Sequence, residues 1–407
     1  MKGFFLRGRS LIIVLLVFSV LFSCRKDDDT TYEYFISRSQ VASYSEANIE
    51  AVIDLAALSF PEAAGLKSYI NDGVKVYKIV YRTTVDGSTV EASGLLSVPE
   101  TPGDYPVLSF QNGTNTVNAD SPSEDPGSFM YQLVEYIAGM GFAVFIPDYP
   151  GFGSSADIPH PYLIKEPTVD AIVNMFRAVT EAEEEFSGVS FRNEYYLIGY
   201  SQGGWATMAL HSHLEQSAGN EFNLGGSVCG AGPYDLYALF TGMIEADTYP
   251  MPAYIAYIVN AYSHYGFFEV DPDEILNETY ASLLGSLFDG NHSTGQINSE
   301  LTTSIPELIT EEFRNGYLSQ QYASVREALT ENSIQGYRSE IPLLLVHGDG
   351  DTHVDPDVTT LFYGSMIEAG TSVSDITKLT FPGLDHGDAV LPCMVEGLKF
   401  LTELRDN

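Results

Sequence analysis

Basic residues are scarce in this chain. Its 407 residues include 19 Lys and Arg against 55 Asp and Glu, which gives a formal net charge of −36 at pH 7. A surface this acidic repels nucleic acid and anionic membranes, and the sequence has no basic cluster that would offset it. We therefore expect no nucleic-acid partner. The charge favours solubility but does not indicate a chemistry.

Cysteine is also scarce, because only Cys24, Cys229 and Cys393 occur. No Cys-x-x-Cys, His-Glu-x-x-His or Gly-x-x-x-x-Gly-Lys pattern is present, and the Asp residues after position 348 lack the spacing and closing Glu of an EF-hand. The sequence therefore predicts no metal and no cofactor. For Cys229 and Cys393 we expect two buried free thiols, with a disulfide in an oxidising compartment as the alternative.

No apolar run is long enough to span a membrane. The run Leu11–Phe22 falls short of the about 20 residues that a spanning helix needs. It follows a positively charged start, which is the layout of a secretory signal, so we expect a signal peptide over residues 1–23. The run ends in Leu21-Phe22-Ser23-Cys24, which resembles a bacterial lipobox. We therefore expect Cys24 to be lipidated, with an ordinary signal peptide and a chance cysteine as the alternative.

Acyl chains on Cys24 would hold the protein on a membrane without a spanning helix. The next residues, Arg25–Asp29, resemble the tether of lipoproteins sent to the outer surface of Gram-negative cells; a merely solvated linker is the alternative. We expect an exported protein, anchored by lipid to a bacterial membrane at the outer membrane or cell surface, with an acidic linker over residues 24–44.

Strands and helices alternate over most of the remaining chain. Two alternating runs joined at Asp86-Gly87 predict a β-hairpin. Short apolar runs that alternate with helices then predict a mostly parallel central sheet with helices on both faces. This pattern covers residues 45–234 and resumes over residues 341–407, so we predict a core built from these two parts.

Residues 235–340 interrupt the alternation with many aromatic residues and mostly helical periods. An insertion of about 100 residues between two strands is too long for a plain loop. We predict a helical cap over the carboxyl edge of the sheet, where open parallel sheets bind ligands. An insertion away from the site is the alternative. The aromatic residues of the cap favour an apolar acyl or aryl group in the substrate.

The stretch Tyr195–Trp205 has the pattern of a short strand, a sharp turn and a helix. The turn carries Gly199-x-Ser201-x-Gly203, which is typical of a nucleophile elbow, where a strained serine holds its hydroxyl clear of the sheet. Glycines beside the serine let the strand and the helix approach closely, and the helix N-terminus favours an oxyanion. We predict Ser201 as a nucleophile, with a glycine turn and a surface serine as the alternative.

A serine hydroxyl needs a base, and the base needs a partner that orients it. Of eight histidines, only His386 lies in a loop directly after a late strand, so we predict His386 as the base. Asp351 follows the strand Ile341–Val346 and is the predicted orienting carboxylate, with Asp349 as the alternative. The chain order Ser, Asp, His is the order of the α/β hydrolases.

Backbone N–H groups must also face the developing oxyanion. We predict one from Gln202, the residue after the nucleophile. We predict the other from the loop after the third predicted strand, where Gly113 allows the backbone to turn inward and Thr114 N–H is the expected donor. Tyr149, after the next strand, is expected to support the site, with a substrate contact as the alternative.

Four motifs in the required order carry a resemblance to a known superfamily. They are Gly199-Tyr200-Ser201-Gln202-Gly203-Gly204, Asp148-Tyr149-Pro150-Gly151-Phe152-Gly153, His347-Gly348-x-x-Asp351-x-x-Val354 and His386-Gly387. With these motifs, the chain from about Val74 to Leu404 resembles an α/β hydrolase. The resemblance implies the α/β-hydrolase fold, a mostly parallel sheet flanked by helices with a helical cap insertion.

Two further motifs narrow the resemblance. Phe110–Thr114 and His160–Leu163, with Asp170 on a helix that follows, are similar to the secretory-lipase branch, which carries a helical cap between the elbow half and the acid strand. Asn112 stands where many relatives have His. The resemblance implies a serine esterase or lipase that cleaves a small-molecule, lipid or glycan ester through an acyl-enzyme without a cofactor. A peptidase or acyltransferase on the same scaffold and a catalytically inactive surface binding lipoprotein are the alternatives.

Overall fold

A computed structural model describes residues 31–186, 188–216 and 221–407 of the chain. The signal peptide expected over residues 1–23 and the expected lipidation site Cys24 lie outside these residues. None of the helices in these three stretches combines the length and the apolar character that crossing a membrane requires.

In the described part of the chain, nine strands form one sheet. They are β1 (Phe35–Tyr44), β2 (Val74–Val85), β3 (Ser88–Pro99), β4 (Gly103–Gln111), β5 (Ala143–Pro147), β6 (Val189–Tyr200), β7 (Leu224–Gly230), β8 (Leu343–Gly348) and β9 (Ile376–Phe381).

The strand order is β1-β2-β3-β5-β4-β6-β7-β8-β9. The first three strands are antiparallel, β3 pairs antiparallel with β5, and the strands from β5 to β9 pair in parallel. The prediction of a mostly parallel sheet is therefore confirmed. Because parallel strands end at the same edge, the loops after β4, β6, β8 and β9 emerge side by side.

The acidic linker predicted over residues 24–44 overlaps the edge strand β1. Eight of its ten residues pair antiparallel with β2, so the prediction of a linker is wrong for residues 35–44. Most side chains of β1 are exposed or only half-buried, as is usual for an edge strand that packs on one side only. Because β1 adds a strand, the loop with Gly113 follows β4 and the loop with Tyr149 follows β5.

Helices cover both faces of the sheet. The face that contains Val228 and Leu344 is covered by α1 (Glu46–Ala56), α2 (Phe129–Glu135) and α15 (Val390–Asp406). The other face, with Leu343 and Leu345, is covered by α3 (Lys165–Glu181), α4 (Gln202–Gln216) and α14 (Pro356–Glu368). Short 3-10 segments lie at Pro61–Tyr69, Asn118–Asp120, Tyr136–Met140, Gly153–Ser155, Glu183–Phe186 and Gln320–Tyr322.

The two cysteines lie on opposite faces of the sheet. In β7, Val228 belongs to the core under α15, whereas Cys229 belongs to the core with α3 and α4. The next residue, Gly230, faces Cys393 again, since successive residues of a strand alternate between faces. Both cysteines are buried free thiols, and the sheet between them excludes a disulfide.

The segment between β7 and β8 is helical. Two of its aromatic side chains contact the sheet edge: Tyr257 donates a hydrogen bond to Asn115 O (3.3 Å), and Tyr249 donates one to His353 O (2.8 Å). The segment therefore contacts the loops after β4 and β8. Its helices are α5 (Leu236–Glu245), α6 (Pro252–His264), α7 (Pro272–Ile275), α8 (Glu278–Ala281), α9 (Leu284–Leu287), α10 (Thr294–Glu300), α11 (Ile305–Leu308), α12 (Glu311–Gly316) and α13 (Ala323–Asn332).

Candidate active site

Ser201 occupies a strained turn between β6 and α4. Its φ angle is +60°, in the left-handed region that non-glycine residues rarely adopt. The Ser201 N–H donates to Gly230 O (2.9 Å), and the Ser201 carbonyl accepts from Trp205 N (3.1 Å) in the first turn of α4. These bonds tie the turn to β7 on one side and to the helix on the other, so the strained conformation is held from both sides.

Glycines let three chain segments meet at this turn. A Cβ at Gly203 would lie 2.0 Å from Gln111 O, one at Gly199 would lie 2.4 Å from Gly203 O, and one at Gly204 would lie 2.2 Å from Gly230 O. Each distance is far below a van der Waals contact, and each facing atom is backbone that cannot rotate away. Gly203 therefore allows the loop after β4 to pack directly against the start of α4.

His386 bridges Ser201 and Asp351. Its Nε2 lies 2.9 Å from Ser201 Oγ, and its Nδ1 lies 2.5 Å from Asp351 Oδ2. All three side chains are buried. The structure therefore brings together the three residues that the sequence predicts as nucleophile, base and orienting acid, although they follow three different strands.

The carboxylate of Asp351 accepts several hydrogen bonds. Its Oδ1 accepts from the backbone N–H groups of His353 (2.8 Å) and Val354 (3.0 Å). His347 Nε2 lies 3.1 Å from both Asp351 Oδ2 and Val354 O, and because both are acceptors, this nitrogen carries the proton. Burial alone would raise the pKa of Asp351, but the hydrogen bonds from His347 and His386 outweigh it and hold the pKa well below its usual value.

Asp349, the alternative acid, has a different partner. Its Oδ1 accepts a hydrogen bond from Gly383 N (2.5 Å). This bond connects the loop after β8 to the loop after β9, three residues before His386. Asp349 therefore positions the loop that carries the histidine, while Asp351 contacts the imidazole itself.

The loop after β4, with Gly113 and Thr114, is held by its neighbours. Tyr149 OH donates to Asn112 O (2.9 Å), and Asn112 Nδ2 donates to Pro147 O (3.0 Å). Thr114 Oγ1 lies 3.0 Å from Tyr162 OH. Tyr149 therefore supports this loop, and the Asn112 amide ties the loop to the end of β5. Through the contact at Gly203, the loop adjoins Gln202 at the first position of α4.

A buried histidine for which the sequence predicts no role in the site, His160, lies beside Gln202. His160 Nδ1 is 2.7 Å from Pro150 O, and His160 Nε2 is 2.9 Å from the amide Nε2 of Gln202. Because a carbonyl can only accept, Nδ1 carries the proton and Nε2 accepts from the amide. Burial lowers the pKa of His160 to about 4, although the bond to Pro150 O opposes the shift. His160 therefore stays neutral and holds the Gln202 side chain.

Two more side chains contact His386. Tyr200 OH donates to His386 O (2.9 Å), and the ring of His353 lies 4.9 Å from the ring of His386, between centroids. Burial, and secondarily the positive charge that His386 can carry, lower the pKa of His353. The sequence indicates these contacts with His386 only through position, since Tyr200 and His353 lie within two residues of Ser201 and Asp351.

The chain resembles known proteins in sequence and structure. A family model described as secretory lipase matches residues 130–386. A candidate hydrolase from Legionella pneumophila has 24% identity over 91% of this chain and 98% of its own, with a TM-score of 0.82. The rice cell wall degrading esterase LipA from Xanthomonas oryzae has 22% identity over 92% and 97%, with a TM-score of 0.77.

A more distant structure, Candida antarctica lipase A in its closed state, has 16% identity over 91% of this chain and 82% of its own, with a TM-score of 0.66. A search of curated proteins finds no match. The solved structures share the architecture described above, and the fold is that of the α/β hydrolases.

Proposed function

Because the chain belongs to the secretory lipase family, we propose that it is a serine hydrolase that cleaves carboxylic esters. One observation carries the proposal: His386 lies within hydrogen-bonding distance of both Ser201 Oγ, at 2.9 Å, and Asp351 Oδ2, at 2.5 Å. A buried Ser–His–Asp chain of contacts at a nucleophile elbow is the arrangement that activates a serine hydroxyl.

In the first half of the reaction, Ser201 Oγ attacks the ester carbonyl carbon while His386 Nε2 takes the hydroxyl proton. The tetrahedral intermediate then collapses: the bond from carbon to the alcohol oxygen breaks, and His386 gives its proton to that oxygen. The alcohol leaves and the acyl group stays on Ser201. Asp351 remains ionised throughout, since its pKa lies well below the usual value, and it stabilises the imidazolium and fixes the ring.

In the second half, His386 takes a proton from water while the water oxygen attacks the acyl carbon. The bond to Ser201 Oγ breaks, His386 returns the proton to the serine, and the carboxylic acid leaves. We assign the oxyanion contacts to the N–H groups of Gln202 and of the loop with Gly113 and Thr114. Such donors each contribute about 10²- to 10³-fold to turnover.

The test is hydrolysis of p-nitrophenyl butyrate by Ser201→Ala. We expect turnover to fall by about 10⁶-fold, with folding unchanged because the hydroxyl is replaced by hydrogen alone. Ser374→Ala, at an exposed serine in the loop before β9, is the matched control and should behave like the unmodified protein. Near-normal hydrolysis by Ser201→Ala would reject the assignment.

Two measurements separate the alternatives. A fluorophosphonate probe should label Ser201 and spare the Ser201→Ala variant; failure to label the unmodified protein would favour a non-catalytic binding protein. Matched ester and amide substrates, with and without an acceptor alcohol, distinguish an esterase from a peptidase or an acyltransferase. We expect the ester to be cleaved fastest, with water as the acceptor.

The family description indicates export, and we propose in addition that Cys24 carries acyl chains that anchor the exported protein to a bacterial membrane. The proposal rests on the lipobox-like sequence that ends at Cys24. Cys24→Ala should remove incorporation of labelled palmitate and release the protein from the membrane fraction. Membrane retention and acyl labelling that survive this substitution would contradict the proposal.

A further inference from the structure

Tyrosine hydroxyl groups connect the helical segment over residues 235–340, which we call the cap, to the loops at the edge of the sheet. Four cap tyrosines donate hydrogen bonds to backbone carbonyls of the loops after β4, β5 and β8. The pairs are Tyr257 with Asn115 O (3.3 Å), Tyr262 with Leu163 O (2.7 Å), Tyr265 with Pro159 O (2.5 Å) and Tyr249 with His353 O (2.8 Å). Of these four bonds, the one from Tyr249 ends two residues from Asp351.

Tyr249 is itself held within the cap. It lies between α5 and α6, its side chain is buried, and its N–H donates to Thr303 O (2.9 Å). The preceding residue, Thr248, pairs with Ser304 in an antiparallel bridge. Burial raises the pKa of the Tyr249 hydroxyl well above its ordinary value, so the group stays protonated. Tyr249 therefore presents a fixed donor to the loop after β8.

One peptide group connects Tyr249 to Asp351. The carbonyl of the His353–Val354 peptide accepts from Tyr249, and the N–H of the same peptide donates to Asp351 Oδ1 (3.0 Å). A hydrogen bond to a carbonyl polarises the peptide and strengthens its N–H as a donor. The Tyr249 hydroxyl therefore fixes the place of this N–H and strengthens its bond to the carboxylate that contacts His386.

The same stretch of backbone places the ring of His353 against His386. The His353 N–H donates to Asp351 Oδ1 (2.8 Å), so the residue is held on the side of its N–H as well as at its carbonyl. The two imidazole rings lie 4.9 Å apart, between centroids. His353 Nδ1 is buried and has no hydrogen-bond partner among the described residues. At this atom the ring is therefore held by packing and by its backbone.

We propose that Tyr249 and His353 are positioning residues for the reaction, the first acting through the second on Asp351 and His386. This proposal rests on the proposed ester hydrolysis. Without the Tyr249 hydroxyl, one donor to Asp351 weakens and the loop after β8 loosens. The imidazole of His386 would then spend less time in the geometry that accepts the Ser201 proton. Neither residue is assigned a contact with substrate, so the loss should fall on kcat and not on KM.

The first experiment measures hydrolysis of p-nitrophenyl butyrate by Tyr249→Phe, which removes the hydroxyl and keeps the ring. We expect kcat to fall by about 10- to 100-fold with KM unchanged. Tyr262→Phe is the matched control, because Tyr262 is another buried cap tyrosine that donates to a loop carbonyl, but in the loop after β5. It should leave kcat and KM unchanged. A normal kcat in Tyr249→Phe, or an equal fall in Tyr262→Phe, would overturn the proposal.

A double-mutant cycle tests whether the effect passes through Asp351. In an Asp351→Asn background the charge that Tyr249 supports is absent, so adding Tyr249→Phe should lower kcat by less than about twofold. A change that merely weakens the fold would lower kcat by the same factor in both backgrounds, and that result would reject the proposed path.

Variants of His353 test the other end of the path, including the case in which Tyr249→Phe does not fold. His353→Ala keeps both backbone bonds and removes the ring from His386, whereas His353→Phe retains a ring. We expect a lower kcat in His353→Ala than in His353→Phe, with the same KM in both. If both variants matched the unmodified protein in kcat, the ring would not position His386 and the proposal would be wrong.

A last measurement does not depend on turnover. Proton NMR detects the hydrogen between His386 Nδ1 and Asp351 Oδ2 as a resonance far downfield, since these atoms lie 2.5 Å apart; its loss in His386→Gln assigns it. Tyr249→Phe should shift or broaden this resonance, and Tyr262→Phe should not. An unchanged resonance in Tyr249→Phe would contradict the proposal. If the unmodified protein cleaved no ester, the proposed function would fail, but this resonance would still report whether Tyr249 positions the pair.

Discussion

Two buried carboxyl groups in this protein have opposite properties. Asp351 lies at the sheet edge and accepts hydrogen bonds from two histidines and two backbone N–H groups. Glu135, in α2, is also fully buried, but neither of its carboxyl oxygens has a hydrogen-bond partner among the described residues. The pKa of Asp351 is well below its usual value, whereas burial raises the pKa of Glu135 to about 8 against an opposing effect of Tyr44.

The comparison shows that burial alone does not decide the charge of a carboxyl group. Burial acts in the same direction on both groups, because removing a charge from water always favours the neutral acid. The donors around Asp351 reverse the outcome, and Glu135 lacks them. Asp351 is therefore negatively charged at the edge of the sheet, whereas Glu135 is a neutral acid in α2, which packs on one face of the sheet.

The largest effect should follow from removing the charge of Asp351. Asp351→Asn keeps the shape of the side chain but no longer stabilises the imidazolium of His386, so we expect kcat to fall by about 10⁴-fold. Kinetics on p-nitrophenyl butyrate measure this loss. Asp349→Asn is the matched control, since Asp349 binds Gly383 N and not the imidazole. A larger loss in the control than in Asp351→Asn would reverse the two assignments.

A smaller effect, on stability, should follow from Glu135→Gln. The folded protein holds the Glu135 proton up to about pH 8, whereas the unfolded chain releases it near pH 4.3. The folded state therefore binds more protons between these values, and its stability falls as the pH rises through this window. Replacement by neutral glutamine should remove this loss, so the variant should exceed the unmodified protein by roughly 2–5 kcal/mol in free energy of unfolding at pH 9.

Urea unfolding at pH 4 and pH 9 measures this difference. The two proteins should differ far less in stability at pH 4, where the carboxyl group is protonated in the folded state and mostly protonated in the unfolded chain. Glu62→Gln, at an exposed position, should change neither value. If the advantage of Glu135→Gln were the same at both pH values, the carboxyl group would not be neutral in the folded protein.

The smallest effect should come from removing one donor to Asp351. His347→Phe removes a hydrogen bond to a buried carboxylate while His386 and the two backbone donors remain, so we expect a loss of about 1.5–3 kcal/mol in stability. Losing this donor raises the pKa of Asp351, so that Asp351 becomes more like Glu135, a buried carboxyl group without donors. Acid unfolding should therefore begin at a higher pH in His347→Phe, and an unchanged acid midpoint would show that His347 does not contribute.

The sequence predicted those parts of the molecule that depend on local pattern. Ser201, Asp351 and His386 each lie in a turn or loop that follows a strand, and parallel strands end at one edge, so order and spacing were sufficient to propose that they meet. The edge strand β1 escaped prediction because its sequence, FISRSQVASY, combines a mostly exposed surface with no regular alternation of apolar residues.

Contacts between distant segments were not predictable in the same way. The pairing of His160 with Gln202 joins a loop to the first residue of α4, 42 positions away in the chain, and no local pattern distinguishes a histidine that binds an amide from one that binds a carboxylate. The apolar cavity between α2 and α15 was not predicted for the same reason, because its walls come from α1, α2, α15, two 3-10 segments and the ends of two strands, which lie far apart in the chain.

The position of Cys229 and Cys393 on opposite faces of the sheet has a practical consequence. The sheet keeps the two sulfur atoms in separate apolar layers, and both thiols are free. Folding of the described residues therefore requires no oxidant and no disulfide isomerase. Recombinant protein made in a reducing cytosol should be as stable as the exported form, and dithiothreitol should leave its melting temperature unchanged.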